Sequence, residues 1–363
     1  MAKTVSTLGL YYFSPDVPNI QRTGTEEVTF SVSAFSPSGG EFVEIFSTVY
    51  YPANGTITFY DLRDIVETYM LENDLKVQLF QFAFGDYIQQ STIIYSRSKI
   101  TGVAAADFVT NSFLTSQFSR LTKLDAKEYL YFYEPYPIDY AGTSEEDAAI
   151  SLPVTYRIMY KAANGEVCTH NISKQQTFYY GFNTFTVIFS RLLKDIAYQS
   201  IMFVRVTVGS RTCSFYLTEK SGQNRFYFKN LFNCFELAII PSSTTTKTET
   251  DSATATCLGE LVQYDIEHKQ TFEVQTAELL LSHAKWLIEM MTSPDIRLFD
   301  ADKKTPGTMT KVIIVDYDSE LNDAPGEACS VKFEWQYATG DMITKLGIPD
   351  VGIFTEQYTP EFE

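Results

Sequence analysis

Four sequence landmarks occur twice in the same order, and this internal repeat constrains the fold more than any other feature. The strand-like Leu10-Tyr11-Tyr12-Phe13-Ser14-Pro15 returns as Leu130-Tyr131-Phe132-Tyr133-Glu134-Pro135; each is an aromatic run stopped by proline, which cannot donate to a ladder. Val28-Thr29-Phe30-Ser31-Val32 returns as Val154-Thr155-Tyr156-Arg157-Ile158. The first is followed by a Ser-Pro-Ser-Gly-Gly turn at 36–40 and the second by Asn164-Gly165, so both predict hairpins. The helical stripe Leu62, Ile65, Val66 and Tyr69, with Asp61 as the expected N-cap, is matched by Phe189, Leu192, Leu193 and Ile196. Apolar strands 77–84 and 201–208 then reach Gly85-Asp86 and Gly209-Ser210. The offsets stay between 120 (10 to 130) and 127 (62 to 189). Residues 1–98 and 125–220 are therefore expected to be two copies of one β-sandwich-like domain, each with one covering α-helix, joined by a connector at 99–124.

The remainder predicts a third β domain at 221–345. Its helix spans 277–291, with Ala277, Leu280, Leu281, Ala284, Leu287, Ile288 and Met291 on one stripe and Glu278, Ser282, Lys285 and Glu289 opposite. Trp286 marks this helix, and Pro294 stops it. A Thr/Ser-rich tract at 241–256 has almost no apolar content and is expected to be a mobile loop or the tip of an extended hairpin. The acidic tail at 346–363 is expected to order only against a neighbour. The fold class read from the chain is mainly β, with tandem sandwich-like domains and a third β domain carrying the Trp-bearing helix.

The 28 Phe and 24 Tyr, against two Trp, favour half-buried strands. A net charge of −17 would repel a phosphate backbone, so no tight nucleic-acid binding is expected, although an acidic wall could line a passage through which nucleic acid slides. Five scattered cysteines (Cys168, Cys213, Cys234, Cys257 and Cys329) with no C-x-x-C pair indicate neither a disulfide framework nor a zinc ribbon. No apolar run approaches the roughly 18 residues of a membrane span, and no leader follows Lys3. The chain is expected to be made in the cytoplasm, to stay soluble and not to insert in a membrane.

No catalytic, cofactor-binding or metal residues are assigned. Asp316, Asp318, Glu320, Asn322 and Glu327 match the oxygen-ligand positions of a calcium loop, but Leu321 stands where the sharp turn needs glycine, so a solvated acidic hairpin is expected. His170, His268 and His283 form no metal-ligand spacing, and His283 is expected at the surface. There is no phosphate loop and no nucleophile elbow. A carboxylate pair for sugar hydrolysis would be spatial, and most of the 45 acids fall in turns and loops, so no enzyme activity is expected. The aromatic strand 129–136 could stack sugars but reads more simply as packing.

Phe272-Glu273-Val274 with Thr276, the Trp286-Leu287 helix, Met291-Thr292-Ser293-Pro294-Asp295-Ile296 and Val331-Lys332-Phe333-Glu334 resemble tail-associated structural proteins of tailed phages and prophages of Bacteroidales. The helix start Asp61-Leu62-Arg63-Asp64-Ile65-Val66 and the Tyr-Phe-Tyr strands are similar to the upstream β units of such proteins. The resemblance is best over 225–340; the sequence departs from it at Met291, where leucine stands in the pattern, and in the long Thr tract. It implies a structural virion protein, tail- or baseplate-proximal, that forms homo-oligomeric rings, docks to other tail proteins and resides in the virion. It carries over no catalytic residue. The alternative expectation is a glycan- or receptor-binding β module.

Overall fold

The computed structural model describes residues 6–36, 40–136, 149–218, 224–257, 260–324 and 327–339. The acidic tail expected at 346–363 lies outside them. The chain is mainly β, built as several separate sheets with a few short helices.

The first unit contains β1 (Tyr11–Phe13), β2 (Ile20–Thr23), β3 (Val28–Ser36), β4 (Glu41–Tyr50), β5 (Thr56–Phe59), α1 (Leu62–Glu72), β6 (Val77–Phe84) and β7 (Tyr87–Ile94). Its main sheet runs β1-β7-β6-β3-β4, with β1 parallel to β7 and the rest antiparallel. Alternate residues Phe30, Val32, Phe80, Phe82 and Phe84 face inward, where the β2–β5 pair and Leu62, Val66 and Met70 of α1 cover them.

Next come α2 (Ala105–Asn111), β8 (Ser119–Thr122), β9 (Lys127–Glu134), β10 (Ala149–Lys161), β11 (Val167–Tyr179), β12 (Gly181–Ile188), α3 (Phe189–Leu192), β13 (Ser200–Val208) and β14 (Arg211–Leu217). This sheet runs β8-β14-β13-β10-β11, again with only the first pair parallel, and β9–β12 covers it as β2–β5 covers the other. The two halves thus share one strand order and one pattern of parallel and antiparallel pairs.

Several expectations need correction. The segment read as a connector carries α2 and β8, and β8 is a strand of the second sheet. By topology β1 corresponds to β8 and β2 to β9, so the aromatic runs at 10–15 and 130–135 are not equivalent strands. They look alike because Phe13 and Tyr133 enter the same buried cluster. Asp61 takes a left-handed conformation and its side chain caps nothing, while α3 is a single turn that tightens to an Ile196 N–H to Leu193 carbonyl bond of 3.2 Å.

The third unit contains β15 (Asn224–Lys229), β16 (Phe235–Ile240), β17 (Thr244–Cys257), β18 (Glu260–Gln275), α4 (Leu281–Met291), β19 (Ile296–Leu298), β20 (Thr310–Glu320) and β21 (Ser330–Tyr337). They form one antiparallel sheet ordered β16-β15-β19-β20-β21-β18-β17. Ala284, Leu287, Met290 and Met291 of α4 lie on Phe226, Phe228, Val331 and Phe333. The helix starts at Leu281 rather than 277, because Leu279 and Cys329 exchange two backbone hydrogen bonds of 2.9 Å that hold the preceding chain extended. The Thr/Ser tract is a strand of an extended hairpin.

Candidate functional site: a locked junction and a projecting ribbon

The three units meet at two apolar seams. Phe13, Val77 and Ile94 of the first unit, Phe108, Val109, Leu114 and Tyr133 of the second, and Phe232 and Cys234 of the third form one buried cluster. Phe232 stacks on Phe108 with ring centroids 5.0 Å apart. Its tight turn is held by Asn230, whose Oδ1 accepts the N–H groups of Phe232 and Cys234 at 2.9 and 3.0 Å while Nδ2 donates to the Leu114 carbonyl at 2.8 Å. Ala126, Tyr227, Leu237, Ile239 and Met309 form the second seam.

Between the seams lies a charge cluster that the sequence reading missed. Arg120 on β8 is completely buried, 3.0 Å from Glu236 Oε1 on β16 and 3.5 Å from Glu128 Oε2 on β9. The Thr122 hydroxyl donates to Glu128 at 2.7 Å, and the Trp286 indole N–H donates to Glu236 at 2.9 Å. Two carboxylates thus share one guanidinium. Burial opposes the charge of Arg120, but Glu236 and Glu128 outweigh it and hold its pKa above the ordinary value. Burial lifts the Glu128 carboxyl to about 7 against the pull of Arg120, and lifts the Cys213 thiol to about 12. The signal for this cluster was a charge inside an apolar strand, as in Phe235-Glu236-Leu237.

A second set of contacts clasps the end of α4. Arg97 donates to the carbonyls of Glu289 and Thr292, each at 3.0 Å, placing a cation on the negative end of the helix. Glu289, expected on the solvent side, accepts the Ser116 hydroxyl at 2.5 Å and the Leu231 N–H at 2.6 Å. Burial, with the nearby Glu236 charge, lifts its carboxyl to about 7. His283, expected at the surface, is half-buried beside the Ser119 backbone, and burial lowers its pKa. Asp74 ties the first unit to the third through Lys229 at 2.8 Å and Asn233 at 3.1 Å.

The other sequence candidates do not converge. Asp316, Asp318 and Glu320 lie along β20 in ladder with Glu334, Lys332 and Ser330, so they are strung out along a strand rather than wrapped round a point. Among the described residues no group of three or more His, Cys, Asp or Glu could hold a metal. Leu130, Phe132 and Tyr133 of the aromatic strand are buried, and Tyr131 stacks on Phe182 at 5.9 Å, so the strand packs inward. Cys213, Cys234 and Cys329 are buried free thiols, and Cys168 is half-buried. Two shallow grooves of about 380 and 330 Å³ sit in matching places: one is lined by Ile45, Phe46, Ile65 and Tyr69, the other by Ile172, Val187, Ile188 and Leu192. A third, of about 440 Å³, lies at Leu279, Leu280 and Glu327. None of the three reaches the buried charges. No described helix is long and apolar enough to cross a membrane.

The residues that carry the tail-protein resemblance hold the third unit together. Phe272 stacks on Trp335 at 4.1 Å, and the Thr276 hydroxyl accepts the Val331 N–H at 3.0 Å. The Ser293 hydroxyl donates to the Lys229 carbonyl at 2.8 Å, and Glu273 pairs with Lys247 at 2.6 Å and Lys332 at 3.2 Å.

Beyond this root the sheet ends and a ribbon begins. β18 pairs with β21 only at Phe272–Gln275, whereas its pairing with β17 continues from Val274 to Glu260. Twelve positions of β18 (260–271) therefore extend past the sheet as a two-stranded ribbon, about 40 Å at the usual strand rise. Thr244–Thr250 are exposed, and Leu261 retains 75% of its accessible surface.

No protein-family model matches the chain, and no curated protein matches its sequence. Among solved structures, the calcium-binding domain CBD12 of CALX1.1 aligns at 10% identity over 55% of this chain and 75% of its own, with a TM-score of 0.16. CBD12 of CALX1.2 aligns at 10% identity over 55% and 76%, also with a TM-score of 0.16.

Proposed function

We propose that this protein is a structural subunit of a tailed-bacteriophage virion, tail- or baseplate-proximal, that forms rings by self-association and docks to neighbouring tail proteins. The observation that carries the reading is the ribbon on a locked body. Three units are joined by buried seams and a buried ion cluster, and from this block a two-stranded arm runs on past the edge of its sheet. A two-stranded ribbon alone in water is marginal. Contacts with another chain are what would hold this one in place, and β17, the last strand of the sheet, puts an edge where a further strand could add to it. The phage assignment draws on the tail-protein resemblance of residues 225–340.

Shortening the arm tests the reading. Lys247 and Thr271 are ladder partners, so an Asn-Gly turn can join them in place of residues 248–270. The shortened chain is expected to melt cooperatively at the parent temperature yet to run as a monomer in light scattering where the parent is an oligomer. Unchanged assembly of the shortened chain would overturn the role of the arm.

A further inference from the structure

The two main sheets share a topology but differ in charge. The first carries two acids, Glu41 and Glu44, and no bases on its strands; the second carries no Asp or Glu on any of its five strands, in a chain of net charge −17. On the outer face of the second, one row crosses four strands as Asn171, Arg157, Arg205 and Ser214. Arg157 and Arg205 are direct ladder partners, both exposed, and no carboxylate of the sheet lies between them. Arg205 donates to the Ser214 hydroxyl at 3.3 Å. The same ladder place in the first sheet holds Ser31 and Ala83, so the fold does not need this pair. Like charges directly opposite on a sheet are destabilising.

The ribbon carries the opposite fault. Its backbone register pairs Asp251 with Glu267. Over 248–269 it has Glu249, Asp251, Glu260, Asp265 and Glu267 against one base, Lys269. We infer that the acidic ribbon of one copy docks across the Arg157–Arg205 row of the next, so that each like-charged pair neutralises the other. Each copy then gives a ribbon and receives one, a head-to-tail contact of the kind that closes rings. The inference rests on the self-association reading and names the two surfaces that meet.

The test uses the full chain in four forms: parent, R157E/R205E, D251K/E267K, and all four changes together. Circular dichroism melts are compared first; R157S/R205A, which copies the first sheet, replaces the reversal if that variant fails to fold. Light scattering over a range of protein concentration and salt then reads the mass. Expected are an oligomeric parent that dissociates as salt rises, monomers for each single-face reversal, and recovery of the oligomer in the fourfold variant. An equimolar mixture of R157E/R205E with D251K/E267K chains is also expected to assemble, because the acidic ribbon of the first meets the arginine row of the second and the lysine-bearing ribbon of the second meets the glutamate-bearing row of the first. Single-face variants that assemble like the parent, or a fourfold variant that stays monomeric, would overturn this contact while leaving the self-association reading standing. A parent that is monomeric throughout would overturn both.

Discussion

Glu236 is held by Trp286 across the junction of the second and third units: the indole N–H donates to Oε2 at 2.9 Å while Oε1 faces Arg120 at 3.0 Å. A buried carboxylate needs both partners, because each unmet acceptor bears its full desolvation cost. Trp286→Phe keeps the ring near Phe228 but deletes the donor, and is expected to cost about 1–3 kcal/mol in urea unfolding. Arg120→Met leaves two carboxylates facing each other in a dry site and is expected to cost about 3–5 kcal/mol. A loss under 1 kcal/mol for Arg120→Met would contradict the reading of the cluster as the lock between units.

The two lifted carboxyls give stability a particular pH dependence. Glu128 and Glu289 have folded pKa values near 7 against an ordinary 4.5, so between those values the folded chain binds more protons than the unfolded one. The stability they contribute is fully present below pH 4.5 and is lost as pH rises through 7. The midpoint of urea unfolding should therefore fall between pH 5 and pH 8, and the combined Glu128→Gln and Glu289→Gln changes should flatten that slope. A slope unchanged by both substitutions would contradict the assignment.

Phe232 lies where all three units meet, and its truncation should act on their coupling as well as on stability. Phe232→Ala is expected to cost about 3–5 kcal/mol, as for other buried aromatics. Calorimetry should then show the single transition broaden or split, since the cluster that joins the units is weakened. A sharp single transition at lower temperature would mean that the ion cluster alone suffices to couple them.

The sequence pattern made the local elements legible, because strand alternation and the three-four stripe of α4 are set by each element's own core. Composition left the Thr/Ser tract open between a mobile loop and the tip of an extended hairpin, and it is instead a long strand, Thr244–Cys257, of that hairpin. What it hid was contact between units. Glu289 and His283 fall on the polar face of α4 when the helix is drawn alone, yet that face is covered by residues 116–119 and the Leu231 turn. The aromatic run at 130–135 mimicked the one at 10–15 through a shared destination rather than a shared place in the repeat. Arg120, Glu128 and Glu236 are 8 and 108 positions apart in turn, and only the docking of β8 and β9 on β16 brings them together.

Native mass spectrometry of the purified parent chain tests the central claim most directly. The account predicts one closed stoichiometry above the monomer, reached with rising concentration and lost when residues 248–270 are replaced by a two-residue turn. A parent that stays monomeric at every concentration, or an oligomer that keeps its stoichiometry without the ribbon, would contradict it.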